Sequence, residues 1–194
     1  LVLKVSLKIP NKNDRFIIFI RSVFEVLMIY SFLTALFIMN IANANAVLQL
    51  IPLVVLFGSF LFLGKRLKQR EIIAVLLGLL GAIIVIRPGA SDFNFYSFFA
   101  LLAVASLSVR DLFTVNLNKK IPSILVAFYS SLLITVISFF LSFKKLDITE
   151  LNNPMFIVYS AILVSIGYIT AVAAMRFGEV TFVSPFRYTA LLWA

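Results

Sequence analysis

Long apolar runs, each about the length of a bilayer crossing and each closed by a cluster of charges, constrain this chain more than any other feature. A helix needs about 20 apolar residues to cross the hydrocarbon core of a membrane. Read between charged or Pro/Gly/Asn clusters, the sequence offers such runs at roughly 17–39, 43–64, 71–87, 95–117, 121–143, 154–175 and from 179 onward. None shows a strict two-residue alternation, and a lipid-embedded segment must satisfy its own backbone, so the runs read as helices. With 62% hydrophobic residues, against about 45–50% for soluble domains, a water-soluble fold of this size has no interior large enough to hide them. The expected fold class is therefore an all-α polytopic membrane protein, with the lipid bilayer as its solvent. The chain starts at Leu1 and reaches Ala194 inside an apolar run, so it reads as a fragment of about seven helices, with no secretory signal pattern.

The charges between the runs set an orientation. Lys4, Lys8, Lys12, Arg15, Lys65, Arg66, Lys68, Arg70, Lys119, Lys120 and Arg176 fall in one alternating set of linkers. The other set holds only Arg87, Lys144 and Lys145, with Asp92, Asp147 and Glu150 nearby. By the positive-inside rule the first set is cytoplasmic and the first helix runs outward. The formal charge of +9 is then a topology signal, and no nucleic-acid partner is needed to explain it.

The chain contains no His and no Cys. That excludes disulfides, Cys/His zinc sites, haem ligation and Ser–His or Cys–His catalysis within it. No Walker-type phosphate loop is present. The expectation is no metal, no cofactor and no enzymatic activity.

Ionisable side chains at membrane depth cost roughly 2.5–3.5 kcal/mol each on insertion scales and usually face the bundle interior. Arg21 and Glu25 share a helix face, being four residues apart; Arg21 reads either as part of a solute path or as a side chain snorkelling to the surface. Arg110 and Asp111 point about 100° apart on their helix, so each is expected to meet another helix rather than its neighbour. Arg187, beside Tyr188 and after Pro185, reads as a carboxylate or phosphate binder or as a structural partner of Glu25 or Asp111. Asn45 and Gln49 lie one turn apart before Pro52, and their amides are expected mainly to hydrogen-bond between helices, or else to line a cavity. Asn40 and Asn43 are expected to cap and turn. Pro52 and Pro185 should interrupt their helices, and Gly78 and Gly81, with Ala74 and Ala82, offer a face for close backbone approach. Tyr129, Tyr168 and Trp193 are explained as well by packing as by solute contact.

Residues 35–55 (ALFIMNIANANAVLQLIPLVV) can be laid without gaps over 174–194 (AMRFGEVTFVSPFRYTALLWA), and duplicated halves are common in transporters. ANANAVLQLIPLVVLFGSFLFLGKRL followed by EIIAVLLGLLGAIIVIRPG resembles the first EamA-type repeat of the drug/metabolite transporter superfamily. GEVTFVSPFRYTALLWA resembles the matching stretch of the second repeat. RDLFTVNLNKK and VAFYSSLL are similar to the subgroup that includes S-adenosylmethionine uptake carriers. The resemblance implies ten helices in two inverted five-helix repeats. Residues 1–90 would be the remainder of the first repeat, lacking its first two helices, and 91–194 a truncated second repeat. Lys65 stands where members often carry Glu. The implied function is secondary transport of a small polar or charged solute across the bacterial cytoplasmic membrane by alternating access. An amino acid, a nucleoside-like metabolite or S-adenosylmethionine is the implied class. The expected solute-binding residues are Arg21, Glu25, Asn45, Gln49, Arg110, Asp111, Arg187 and Tyr188, and the reading leaves a homodimer open. The alternatives are a membrane-embedded enzyme and a non-transporting scaffold.

Overall fold

A computed structural model describes residues 11–39, 41–86, 96–142 and 154–192. All regular structure among them is helical: α1 (Lys12–Ile38), α2 (Ile41–Leu48), α3 (Ile51–Leu63), α4 (Gln69–Ile86), α5 (Ser97–Val115), α6 (Ser123–Ser142), α7 (Pro154–Phe177) and α8 (Val180–Val183), followed by a 3-10 helix (Ser184–Leu192). Five stretches are long and apolar enough to cross a membrane: Lys12–Ile38, Asn43–Leu63, Ser97–Val115, Ser123–Leu141 and Met155–Phe177. The chain is thus a multi-pass membrane protein. Helix α4 occupies the third apolar run with 18 residues, a rise of about 27 Å.

Cross-helix hydrogen bonds fix the directions of the bundle. Asp14 meets Asn118, Arg21 meets Thr114 and Glu25 meets Arg110, so α1 and α5 are antiparallel. Ser22 pairs with Ser130 and Tyr30 with Ser138, so α6 runs with α1. Arg176 reaches Ser123 and the carbonyl of Asn118, so α7 runs back against α6.

The same contacts gather the basic linkers at one end. Asn118 N–H donates to Asp14 Oδ1 at 3.3 Å and its carbonyl accepts from Arg176 Nη2 at 2.7 Å. Lys68 lies 3.8 Å from Glu179, and Thr181 donates to Glu71 Oε1 at 2.9 Å. Lys12, Arg15, Lys119 and Lys120 belong to this end. The sparse linkers used for comparison (Arg87, Asp92, Lys144, Lys145, Asp147, Glu150), together with Lys4, Lys8, Asn40 and Trp193, lie outside the described residues.

Pro52 acts as expected. The helix breaks at Gln49–Leu50, and α3 restarts with Pro52 in its first turn, where a missing N–H costs nothing. Pro185 likewise interrupts the last apolar run, as expected. The run makes one α-turn and then tightens to a 3-10 helix at Ser184–Pro185, because Pro185 has no N–H for the carbonyl four residues back. The small-residue stripe on α4 departs from expectation. Gly78 receives the ring of Tyr188 rather than another backbone, Gly81 meets nothing, and Ala74 is exposed. The side chain of Ala82 lies outside the described residues.

The two corners laid over one another in sequence correspond in structure. Helix α1 ends at Ile38 and α7 at Phe177, and their successors begin at Ile41 and Val180, which are matched positions. Met39 N–H caps the carbonyl of Ala35 at 2.7 Å, and its counterpart Gly178 caps Ala174 at 2.9 Å. Because α1 leaves the basic end and α7 returns to it, the two corners are inverted.

Candidate functional site

Among the described residues, five charged side chains placed deep in the apolar runs come together. Arg21 lies about 14 Å and Glu25 about 20 Å along α1 from its start. Glu25 sits 3.4 Å from Arg21 Nη2 and 2.5 Å from Arg110 Nη1. Arg110 also grips its neighbour, with Nε 3.0 Å and Nη2 2.6 Å from Asp111 Oδ1. Arg187 closes the far side by pairing with Asp111 Oδ2. The chain of charge therefore runs Arg21–Glu25–Arg110–Asp111–Arg187, alternating in sign throughout.

Uncharged groups complete it. Arg21 Nε donates to Thr114 Oγ1 at 2.8 Å, Nη1 donates to Ser130 Oγ, and both terminal nitrogens lie 3.2 Å from the Tyr168 hydroxyl. Tyr168 in turn donates to Glu25 Oε2. Thr114, like Ser22 on α1, bonds the carbonyl four residues before it, which leaves its oxygen free to accept from Arg21. Four elements, α1, α5, α6 and α7, meet on one guanidinium.

The network is dry. On α1 it lies between Ile18 and Met28, and on α5 between Leu107 and Leu117; these belong to two separate apolar clusters. Arg21, Glu25 and Asp111 are buried to 1–3% side-chain exposure and Arg110 to 9%, whereas Arg187 retains 30%. Charges so placed attract one another far more strongly than in water, and each carboxylate has two or more cationic or hydroxyl partners.

Three expectations need correcting. Arg21 does not snorkel, because Thr114, Ser130 and Tyr168 hold its head inside the bundle. Arg110 and Asp111 do pair with each other, since the long guanidinium folds back across the 100° separation while still reaching Glu25. Asn45 and Gln49 are half-buried, but their amides form no hydrogen bond among the described residues, so they do not tie helices together. It is instead the Gln49 backbone carbonyl, at the break before Pro52, that accepts from Tyr188 Oη at 3.1 Å. Asn43 is buried within α2. Sequence reasoning missed Thr114 and Ser130 and undervalued Tyr168. The available signal was their position as polar groups within apolar runs, one helical turn from charged residues in the case of Thr114.

Gln49 and Tyr188 also fall on one another when the two corners are superposed in sequence. In the structure the two touch, through the Tyr188 hydroxyl and the Gln49 carbonyl. The break at Gln49 and the 3-10 helix therefore meet at the interface between the two corners, with Arg187 beside it.

Residues 1–87 match the EamA-like transporter family. The S-adenosylmethionine uptake transporter of Rickettsia bellii is 26% identical over 98 residues, half of this chain and 34% of that protein. The riboflavin transporter of Vibrio cholerae is 27% identical over 152 residues, 75% of this chain and 49% of its own length. The chain thus spans between about a third and a half of the curated relatives it matches. A solved crystal structure superposes with a TM-score of 0.76 at 20% identity, over 94% of this chain and 66% of the other. At that identity it shows a shared fold.

Proposed function

We propose that this chain forms part of a secondary transporter in a bacterial cytoplasmic membrane. It would move a small polar or charged metabolite by alternating access between two inverted repeats, 1–90 and 91–194. The observation that carries the reading is the five-membered charge network at membrane depth. It is built from α1 of the first repeat and from α5 and the 3-10 helix of the second, with α6 and α7 supplying hydroxyls. Ionisable groups so placed are costly and mark solute or ion paths by default, and transporter sites lie at repeat interfaces with broken helices. The break at Gln49–Leu50 and the 3-10 helix supply that second feature. The relatives' names put S-adenosylmethionine and riboflavin first among candidate solutes, with amino acids beside them. A membrane enzyme has less support: among the described residues no three His, Cys, Asp or Glu side chains group to hold a metal. On this reading the exposed apolar face of α7 faces lipid.

The test is uptake by the full-length protein in proteoliposomes, with labelled S-adenosylmethionine, riboflavin and amino acids, wild type against Glu25→Gln. Saturable uptake that the variant lacks, at equal insertion, supports a carrier whose path involves the network. No uptake under any imposed ion gradient counts against transport.

A further inference from the structure

The network carries a surplus charge. Arg21, Glu25, Arg110 and Asp111 balance as two cations and two anions, and Arg187 is a third cation that shares the carboxylate of Asp111 with Arg110. Among the described residues Arg187 makes one side-chain hydrogen bond, from Nη2 to Asp111, although a guanidinium offers five N–H donors. By contrast, Arg21 and Arg110 spend every nitrogen on partners. Arg187 is also the most open of the three, 30% exposed against 1% and 9%.

Release of Arg187 from Asp111 frees Oδ2 but leaves the carboxylate paired with a cation, because Arg110 still holds its other oxygen, Oδ1, through two bonds at 3.0 and 2.6 Å. Arg187 is thus a guanidinium with free donors, an unbalanced charge and a partner that can spare it, mounted on a 3-10 helix at the interface between the repeats. A single anionic charge would balance the cluster. A carboxylate supplies one charge and two oxygens matched to the arginine fork. A phosphate monoester brings about 1.5 to 2 charges and would overshoot. Resting on the carrier reading, we propose that Arg187 is the docking point for a carboxylate of the transported solute, which takes over the guanidinium from Asp111.

The test reads binding rather than transport, so that its failure is distinct from failure of the carrier reading. Full-length protein in phosphatidylcholine nanodiscs is titrated calorimetrically with each common amino acid and with its neutral carboxamide. S-adenosylmethionine is compared in the same way with its decarboxylated form, which lacks only the carboxylate. The expected result is at least one pair in which the acid binds about ten- to a hundredfold more tightly, the range of a charge-assisted contact. That preference should vanish in Arg187→Gln and be reduced in Arg187→Lys, which keeps the charge and loses the fork. Arg187→Gln leaves Asp111 paired to Arg110, and circular dichroism and gel filtration establish that each variant is folded. A preference for the acid that survives in folded Arg187→Gln overturns the proposal, as does the absence of any acid preference across the panel. Repeating the titrations in discs containing phosphatidylglycerol separates solute from lipid. If the anionic lipid alone answers to Arg187 and no solute does, the proposal is likewise overturned. Carboxylate-selective binding without uptake would retain this site while removing the carrier reading.

Discussion

At the scale of single residues, the weight falls on Glu25. It lies between Arg21 and Arg110, with Tyr168 donating to its second oxygen. Replacing it with Gln leaves two guanidiniums at close range and no anion between them. Removing one partner of a buried pair costs about 3–5 kcal/mol, so Glu25→Gln should lower the unfolding free energy of the full-length protein in detergent by about that much. Neutralising Arg21 in the same background should recover part of the loss. A change under about 0.5 kcal/mol in denaturant titration would mean that water or lipid headgroups reach the site. Tyr168→Phe is milder, since it removes one hydroxyl from two charged partners. Hydrogen bonds to charged groups are worth about 1.5–3 kcal/mol, and the same titration should show a loss in that range. The exposed Lys68–Glu179 pair contributes little by comparison, as both side chains stand mostly in solvent and exposed pairs are screened.

At the scale of elements, the interface between α4 and the 3-10 helix is the sensitive one. A Cβ on Gly78 would overlap the ring of Tyr188, whose hydroxyl is bound to the Gln49 carbonyl. Gly78→Val should therefore displace the ring and cost about 1–3 kcal/mol, as overpacking usually does. Adding Tyr188→Ala should restore most of that loss. Stability that falls further in the double variant would show that the ring does not sit against Gly78. The stripe of small residues announced a close approach from the sequence, but what approaches could not be read there. The partner is an aromatic side chain more than 100 residues away, brought in by a helix whose 3-10 geometry follows from Pro185.

At the scale of the whole molecule, the antiparallel order of α1, α5, α6 and α7 collects Lys12, Lys68, Lys119 and Arg176 at one end. The chain has no Cys, so introduced thiols report sidedness cleanly if the full-length protein is likewise free of Cys. Lys68→Cys and Lys119→Cys should both react with a membrane-impermeant maleimide from the cytoplasmic side only, and Tyr96→Cys from the opposite side. Labelling of Lys68→Cys and Lys119→Cys from different sides would break the span order. Much of this scale was legible beforehand. Span positions follow from the length of apolar runs against a fixed hydrocarbon thickness, and the orientation expected of them, which the labelling tests, rests on counting Lys and Arg in the linkers. Both are sums over local composition and need no knowledge of what packs on what.

By itself, then, the sequence determined the membrane class, the positions of the helices, the break at Pro52, the paired corners at 35–55 and 174–194, and the identity of the five charges in the network. Those properties are local: each depends on a window of neighbours, on a proline's missing N–H, or on the cost of a charge in lipid. Only the tertiary structure decided who pairs with whom. It drew Arg110 back onto Asp111, kept Arg21 inside on Thr114, Ser130 and Tyr168, and left Arg187 with unused donors. A buried charge must find a partner, but which partner depends on the direction and rotation of helices far apart in the chain, and that is settled by how the apolar faces on either side of the network pack.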